Sequence, residues 1–186
     1  MVDKDYIFRL LHNLFKVSGS YDIDEITGVV TVQGDVELTK PRTQMPKLFG
    51  KVTGVFSCAN KGLTTLQGAP QEVGSSFNCL YNQLTDLQGA PLHVGGDFYC
   101  ASNPLTTFNG MPETIKGSFV GPYGKHLPLL RTLNCQDRIQ LISATEELTP
   151  EIVPQILNRH TGKGRASALK AAGELIRAGY KENARW

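Results

Sequence analysis

Cys58, Cys79 and Cys100 recur every twenty-one residues, so thiol chemistry is the first possibility to weigh. Zinc sites favour close cysteine pairs separated by roughly two to four residues, and none occurs here. If the three lie on adjacent parallel strands about 4.8 Å apart, their side chains point the same way. That geometry is poor for a disulfide. The expectation is buried, reduced thiols acting as small apolar side chains, with Cys135 either a free surface thiol or part of the core. His12, His93, His126 and His160 are scattered, and neither H-E-x-x-H nor G-x-S-x-G occurs. No catalytic residue, metal ligand or cofactor is assigned, and the chain is expected not to be an enzyme. A catalytic reading would need a cleft between repeats and helical tail.

One element has phosphate-binding character. Thr161-Gly162-Lys163-Gly164-Arg165 opens a predicted helix, whose free amides favour anions, but it lacks the G-x-x-x-x-G-K-[ST] spacing. With Arg159, His160, Lys163, Arg165 and Lys170 it makes a basic stretch, an alternative site for nucleic acid. Two short helices around a glycine turn also invite a helix-turn-helix reading.

The elements that would hold these residues come from an internal repeat. Leu63, Leu84 and Leu105 are twenty-one residues apart, as are Leu66, Leu87 and Phe108, and also Gly68, Gly89 and Gly110. Pro70, Pro91 and Pro112 keep the step, with Val52, Val73, Val94 and Ile115, and with Phe56, Phe77, Phe98 and Phe119. Each unit reads as a short strand with Phe and Cys inward. A turning Asn follows in two units, Asn82 and Asn103, whose amide can satisfy backbone groups of a neighbouring turn. Lys61 stands in that slot in the first full unit, so the asparagine series is expected to be imperfect there. The Gly-Ala-Pro segment is too rich in breakers for a helix. Val36 and Leu38 read as inward-facing residues of an edge strand in a degenerate leading unit.

A short solenoid needs caps. Asp3 to Val17 supplies one as a helix with an Ile7, Leu10, Leu11, Leu14, Phe15 stripe. Beyond Gly121-Pro122 the pattern reads as helical, with Leu127–Leu133 and Arg138–Ser143 as one broken helix or two short ones. Thr149-Pro150-Glu151 starts another helix. The last runs from about Arg165 to Ala178 with Leu169, Ala172, Gly173 and Ile176 inward. The expected class is α+β: an N-terminal capping helix over 1–20, a solenoid of parallel strands over 21–121, and a helical segment over 122–186.

The chain has 186 residues, 40% hydrophobic and 19% charged, which suffices for one core. No apolar run is long enough for a membrane span, and no secretory signal opens the chain, so a cytoplasmic address is expected. The net charge of +2 is uneven: residues 122–186 carry ten Lys and Arg against six Asp and Glu. If Phe77 and Cys79 point inward, Asn78 and Leu80 point outward, with Tyr81 at the strand exit. Leu80, Tyr81 and Tyr99, with Asp35, Glu37, Asn78 and Asp97 around them, then form the candidate partner-binding surface.

Phe77-x-Cys79-x-x-Asn82-x-Leu84-x-x-Leu87 follows the offsets of a leucine-rich repeat. The unit from Leu84 through Gly89-Ala90-Pro91 to Phe98-Tyr99-Cys100 resembles the short leucine-rich-repeat accessory proteins of tailed bacteriophages. The resemblance covers about residues 21–121, departing from it at Lys61, Ser75 and Lys116. It implies a leucine-rich-repeat solenoid that binds a bacterial host protein of defence, transcription or replication and inhibits or redirects it, within the host cytoplasm. Nucleic acid is the alternative partner.

Overall fold

The computed structural model describes residues 2–143 and 149–186. Helix α1 (Lys4–Leu14) starts where the Asp3 carboxylate accepts the Tyr6 amide at 2.8 Å, and it buries Ile7, Leu11 and Leu14. It ends at Leu14, short of the expected span. Phe15 is already extended and opens β1 (Phe15–Ile23), which pairs antiparallel along its whole length with β2 (Val30–Leu38). The N-terminal cap is therefore a helix plus a hairpin.

Strand β2 organises the solenoid. Its first residues pair parallel with β3 (Phe49–Val52) and its last with β4 (Phe56–Ser57). Two stacks of short parallel strands grow from it. One runs from β3 through β5 (Glu72–Val73) and β7 (His93–Val94) to β9 (Thr114–Ile115). The other runs from β4 through β6 (Phe77–Asn78) and β8 (Phe98–Tyr99) to β10 (Phe119–Tyr123). Each twenty-one-residue unit thus contributes two strands, and the chain makes about five turns. Val36 and Leu38 face inward as expected, but β2 is not an edge strand: β1 covers it on one side and β3 and β4 on the other.

The core repeats with the sequence. Phe56, Phe77, Phe98 and Phe119 stack at centroid separations of 5.6, 5.5 and 6.2 Å, an arrangement favourable beyond the area buried. Leu63, Leu66, Leu84 and Leu87 fill the far side with no exposure. All four cysteines are free and buried, which places Cys135 in the core. Asn82 closes a turn: its Oδ1 accepts the Lys61 and Leu63 amides, and its Nδ2 donates to the Cys58 carbonyl at 2.9 Å. Asn103 repeats this towards Leu84 and Cys79.

Two helical expectations are corrected. Arg138–Ser143 is not helical; Ile139–Ser143 forms β11, which continues the stack by pairing parallel with β10. Ile139 and Leu141 alternate inward with exposed Gln140 and Ile142, and this period of two marks a strand. Leu129–Asn134 is a 3-10 turn rather than an α-helix. Two helices follow, α2 (Ile152–Asn158) and α3 (Gly164–Arg177). Helix α3 buries Ala168, Ala171 and Leu175, not the expected stripe; Leu169 and Ile176 are 62% and 52% exposed. The small alanines let α3 lie close to α2 and the 3-10 turn. Asn158 closes the last turn, accepting the Ile139 amide at 2.6 Å and donating to the Ile139 carbonyl at 2.9 Å. Among the described residues, no helix is long and apolar enough to cross a membrane.

Candidate functional site

The outward positions of the β4–β6–β8–β10 stack form one row. Register pairs Glu37 with Ser57, Ser57 with Asn78, Asn78 with Tyr99, Tyr99 with Val120, and Val120 with Gln140. Glu37 and Gln140 are exposed at its ends and the four between are partly exposed. Behind the row stands the phenylalanine stack, so its backbone is held by a continuous core. Sequence reasoning missed Gln140 because it read β11 as a helix. The alternation of Ile139 and Leu141 with Gln140 and Ile142 was the available signal.

The candidate acidic residues turn out to be partly occupied. Asp97 Oδ2 accepts the Tyr99 hydroxyl at 2.7 Å, and its Oδ1 accepts the Ser118 amide at 2.7 Å. The bond to Asp97 pushes the Tyr99 phenol above its usual range and orients the ring. Asp35 likewise accepts the Val55 amide at 2.7 Å, capping the first turn as Asp97 caps a later one. Glu37 and Asn78 remain on the row, although the Asn78 side-chain Oδ1 also accepts the Leu80 amide at 3.1 Å. Leu80 is partly exposed beside the row, and Tyr81, 63% exposed, lies beyond the strand in a left-handed backbone conformation with φ 54°. Ala101, two residues beyond Tyr99, is buried.

The basic residues of the C-terminal segment are brought together and largely held internally. Arg159 Nη2 meets Glu174 Oε2 at 2.6 Å, and His160 Nε2 lies 2.9 Å from Glu174 Oε1. The other nitrogen of His160 is 2.7 Å from the Ser167 hydroxyl, and His160 is buried. Arg159, and secondarily His160, hold the Glu174 carboxyl below its ordinary range. Lys163 donates to the Arg159 carbonyl at 2.7 Å, while Arg165 and Lys170 are exposed on α3. The group ties the end of α2 to α3.

The buried thiols are poor nucleophiles. Burial pushes Cys58 up to about 12 and Cys135 to about 11, and raises Cys79 and Cys100 well above the usual thiol range. Among the described residues, no three His, Cys, Asp or Glu side chains are grouped to hold a metal ion. No family model, curated protein or solved structure matches the chain.

Proposed function

We propose that the protein is a non-catalytic binding module that docks a protein partner on the strand row Glu37–Ser57–Asn78–Tyr99–Val120–Gln140. The supporting observation is the row itself: outward side chains held in register over a stacked aromatic core. A pre-ordered surface loses little conformational freedom on docking. The tethered Tyr99 ring and the exposed Tyr81 supply aromatic contact area of the kind enriched at interfaces. Following the resemblance to short leucine-rich-repeat phage proteins, the partner is a bacterial host protein that is inhibited or redirected.

The nucleic-acid alternative draws less support. Of the five candidate basic residues, Arg159 and His160 share Glu174 and Lys163 folds back on the backbone, which leaves Arg165 and Lys170 to a phosphate backbone. The test is an affinity capture from bacterial lysate with and without nuclease, using the wild type and a Tyr81→Ala/Tyr99→Ala double variant. The expected result is a stoichiometric protein complex that survives nuclease and is lost in the double variant. Capture that vanishes with nuclease, or that depends on Lys163 and Arg165 instead, overturns the proposal.

A further inference from the structure

A second surface lies on a different corner of the solenoid, away from the strand row. The glycine column Gly68, Gly89 and Gly110 continues by one unit in each direction, to Lys47 and to Arg131. Along one column, therefore, a lysine and an arginine bracket three residues without side chains. The structure brings all five to the wall of one groove of about 560 Å³, with Ala69, Ala90 and Met111 beside the glycines. The glycines let successive turns approach so closely that a Cβ on any of them would meet the backbone of the turn before it, and Gln67, Gln71 and Glu113 share the wall with its apolar side chains.

Its ends are cationic and unspent. Neither Lys47 nor Arg131 takes part in a side-chain ion pair among the described residues. Arg131 Nε is buried without a hydrogen-bond partner. A buried donor left in that state is costly, and Arg131 is partly exposed at the groove, so its guanidinium gains by turning toward an acceptor brought there. Glu113 also lines the groove, so the wall is not uniformly positive. A continuous polyanion would meet that carboxylate; two separate anionic groups at the ends need not.

The spacing identifies the occupant. Successive turns rise by about 4.8 Å, which sets Lys47 and Arg131, four turns apart, about 19 Å from each other along the stack. An extended peptide advances about 3.3 Å per residue, so about six residues span that distance. In an extended chain, positions an even number apart point the same way. We infer that this groove binds an extended segment of another protein carrying two carboxylates about six residues apart. One meets Lys47, the other meets the Arg131 guanidinium in charge-assisted bonds, and small apolar side chains at the even positions between lie over Ala69 and Ala90.

The test uses probe peptides of Gly and Ala in which two glutamates are moved apart one residue at a time, with binding followed by fluorescence anisotropy. A single-stranded oligothymidylate is the polyanion control. The expected result is an affinity maximum near a six-residue separation, with a drop of about tenfold at the neighbouring odd separations, where one carboxylate faces away. Lys47→Glu and Arg131→Met, the second retaining an unbranched apolar stem, should each lower the affinity of the best peptide at least about tenfold. The Tyr81→Ala/Tyr99→Ala variant should leave it unchanged, so the groove and the strand row succeed or fail separately. Absence of binding into the millimolar range, no dependence on separation, or tighter binding of the oligonucleotide than of every peptide overturns the inference. So does binding that persists in both groove variants.

Discussion

Asn82 and Asn103 donate to the same acceptor: both side-chain amides reach the Cys79 carbonyl, at 3.1 and 3.0 Å. One carbonyl thus ties two consecutive turns, and the two asparagines act as one assembly rather than as independent caps. Replacing Asn82 with Ala leaves the Lys61 and Leu63 amides and the Cys58 carbonyl without the partner they have now. At roughly 1–3 kcal/mol for each buried unsatisfied group, the loss should exceed about 3 kcal/mol by urea denaturation. The double replacement of Asn82 and Asn103 should depart from additivity by at least about 0.5 kcal/mol. Strict additivity would show that the shared carbonyl couples nothing.

Tyr81 occupies a left-handed backbone position that its counterparts Asn60 and Ser102 also adopt, at φ 54°, 56° and 56°. Asn accepts this region more readily than an aromatic residue does. Since Tyr81 is largely exposed, Tyr81→Asn loses little packing. It should raise stability by about 1 kcal/mol, seen as a higher urea midpoint at unchanged slope. A lower midpoint would mean that the Tyr81 ring contributes more packing than its exposure indicates.

Glycines 68 and 62 allow a controlled comparison. Both have positive φ, at 99° and 77°, but a Cβ on Gly68 would stand 2.4 Å from the Met45 carbonyl oxygen, whereas one on Gly62 meets nothing within 4 Å. Gly62→Ala should cost only the backbone term, about 1 kcal/mol. Gly68→Ala must in addition push two turns apart and should cost several times as much, measured by thermal and chemical denaturation. Equal costs would refute the close approach of the turns.

Raised thiol values make stability fall at high pH. The ordinary value is 9.0, and in the fold Cys58 is pushed up to about 12 and Cys135 to about 11. The unfolded chain then loses these protons first, so stability is full below pH 9 and declines as pH rises towards the folded values. The decline should approach about 1.4 kcal/mol per pH unit for each thiol titrating only in the unfolded state. Cys58→Ala/Cys135→Ala should flatten this limb. At neutral pH a thiol reagent should modify Cys58, Cys79 and Cys100 only after denaturant is added.

Glu174 gives the opposite dependence. Its carboxyl is held below the ordinary 4.5 by Arg159 and His160, so its contribution is complete above that value and is lost as pH falls through the folded one. Trp186, the single tryptophan, lines one cavity with Gly164 and Ala168 of α3, which makes it a reporter on helix docking. Its emission should shift towards the red on acidification in the wild type. Glu174→Gln should already show the shifted emission at neutral pH and respond less to acid. Identical titrations would detach Glu174 from the docking of α3.

The solenoid was legible because its period is carried by residues that cannot be exchanged freely. Stacked phenylalanines, glycines under backbone contacts and turning asparagines all hold one step. What escaped lies where the period breaks. Strand β11 follows Phe119 at twenty residues rather than twenty-one, and its alternation is only five residues long. Helix α3 carries two apolar stripes, and the one with the larger side chains, Leu169 and Ile176, is left outside because close packing favours Ala168 and Ala171. The strand row was mostly visible, since inward Phe and Cys dictate which neighbours face outward. Hydrogen bonds of Asp35 and Asp97 to the next turn were not, because a carboxylate that caps a backbone has the same one-letter signature as one that meets a partner. Lys47 and Arg131 were missed because neither continues the glycine column in residue type.

The two caps make the chain's length adjustable. Helix α1 packs chiefly on β1, and α2 and α3 chiefly on β11, the 3-10 turn and each other. Between them the units are interchangeable layers, each resting on the one before. Tandem duplication of one interior unit would add a layer without reopening either end, as removal would subtract one. Each such event would move Lys47 and Arg131 about 4.8 Å further apart or closer together. The number of layers is then a ruler, and a lineage could retune which segments it measures by copying twenty-one residues rather than by redesigning a surface.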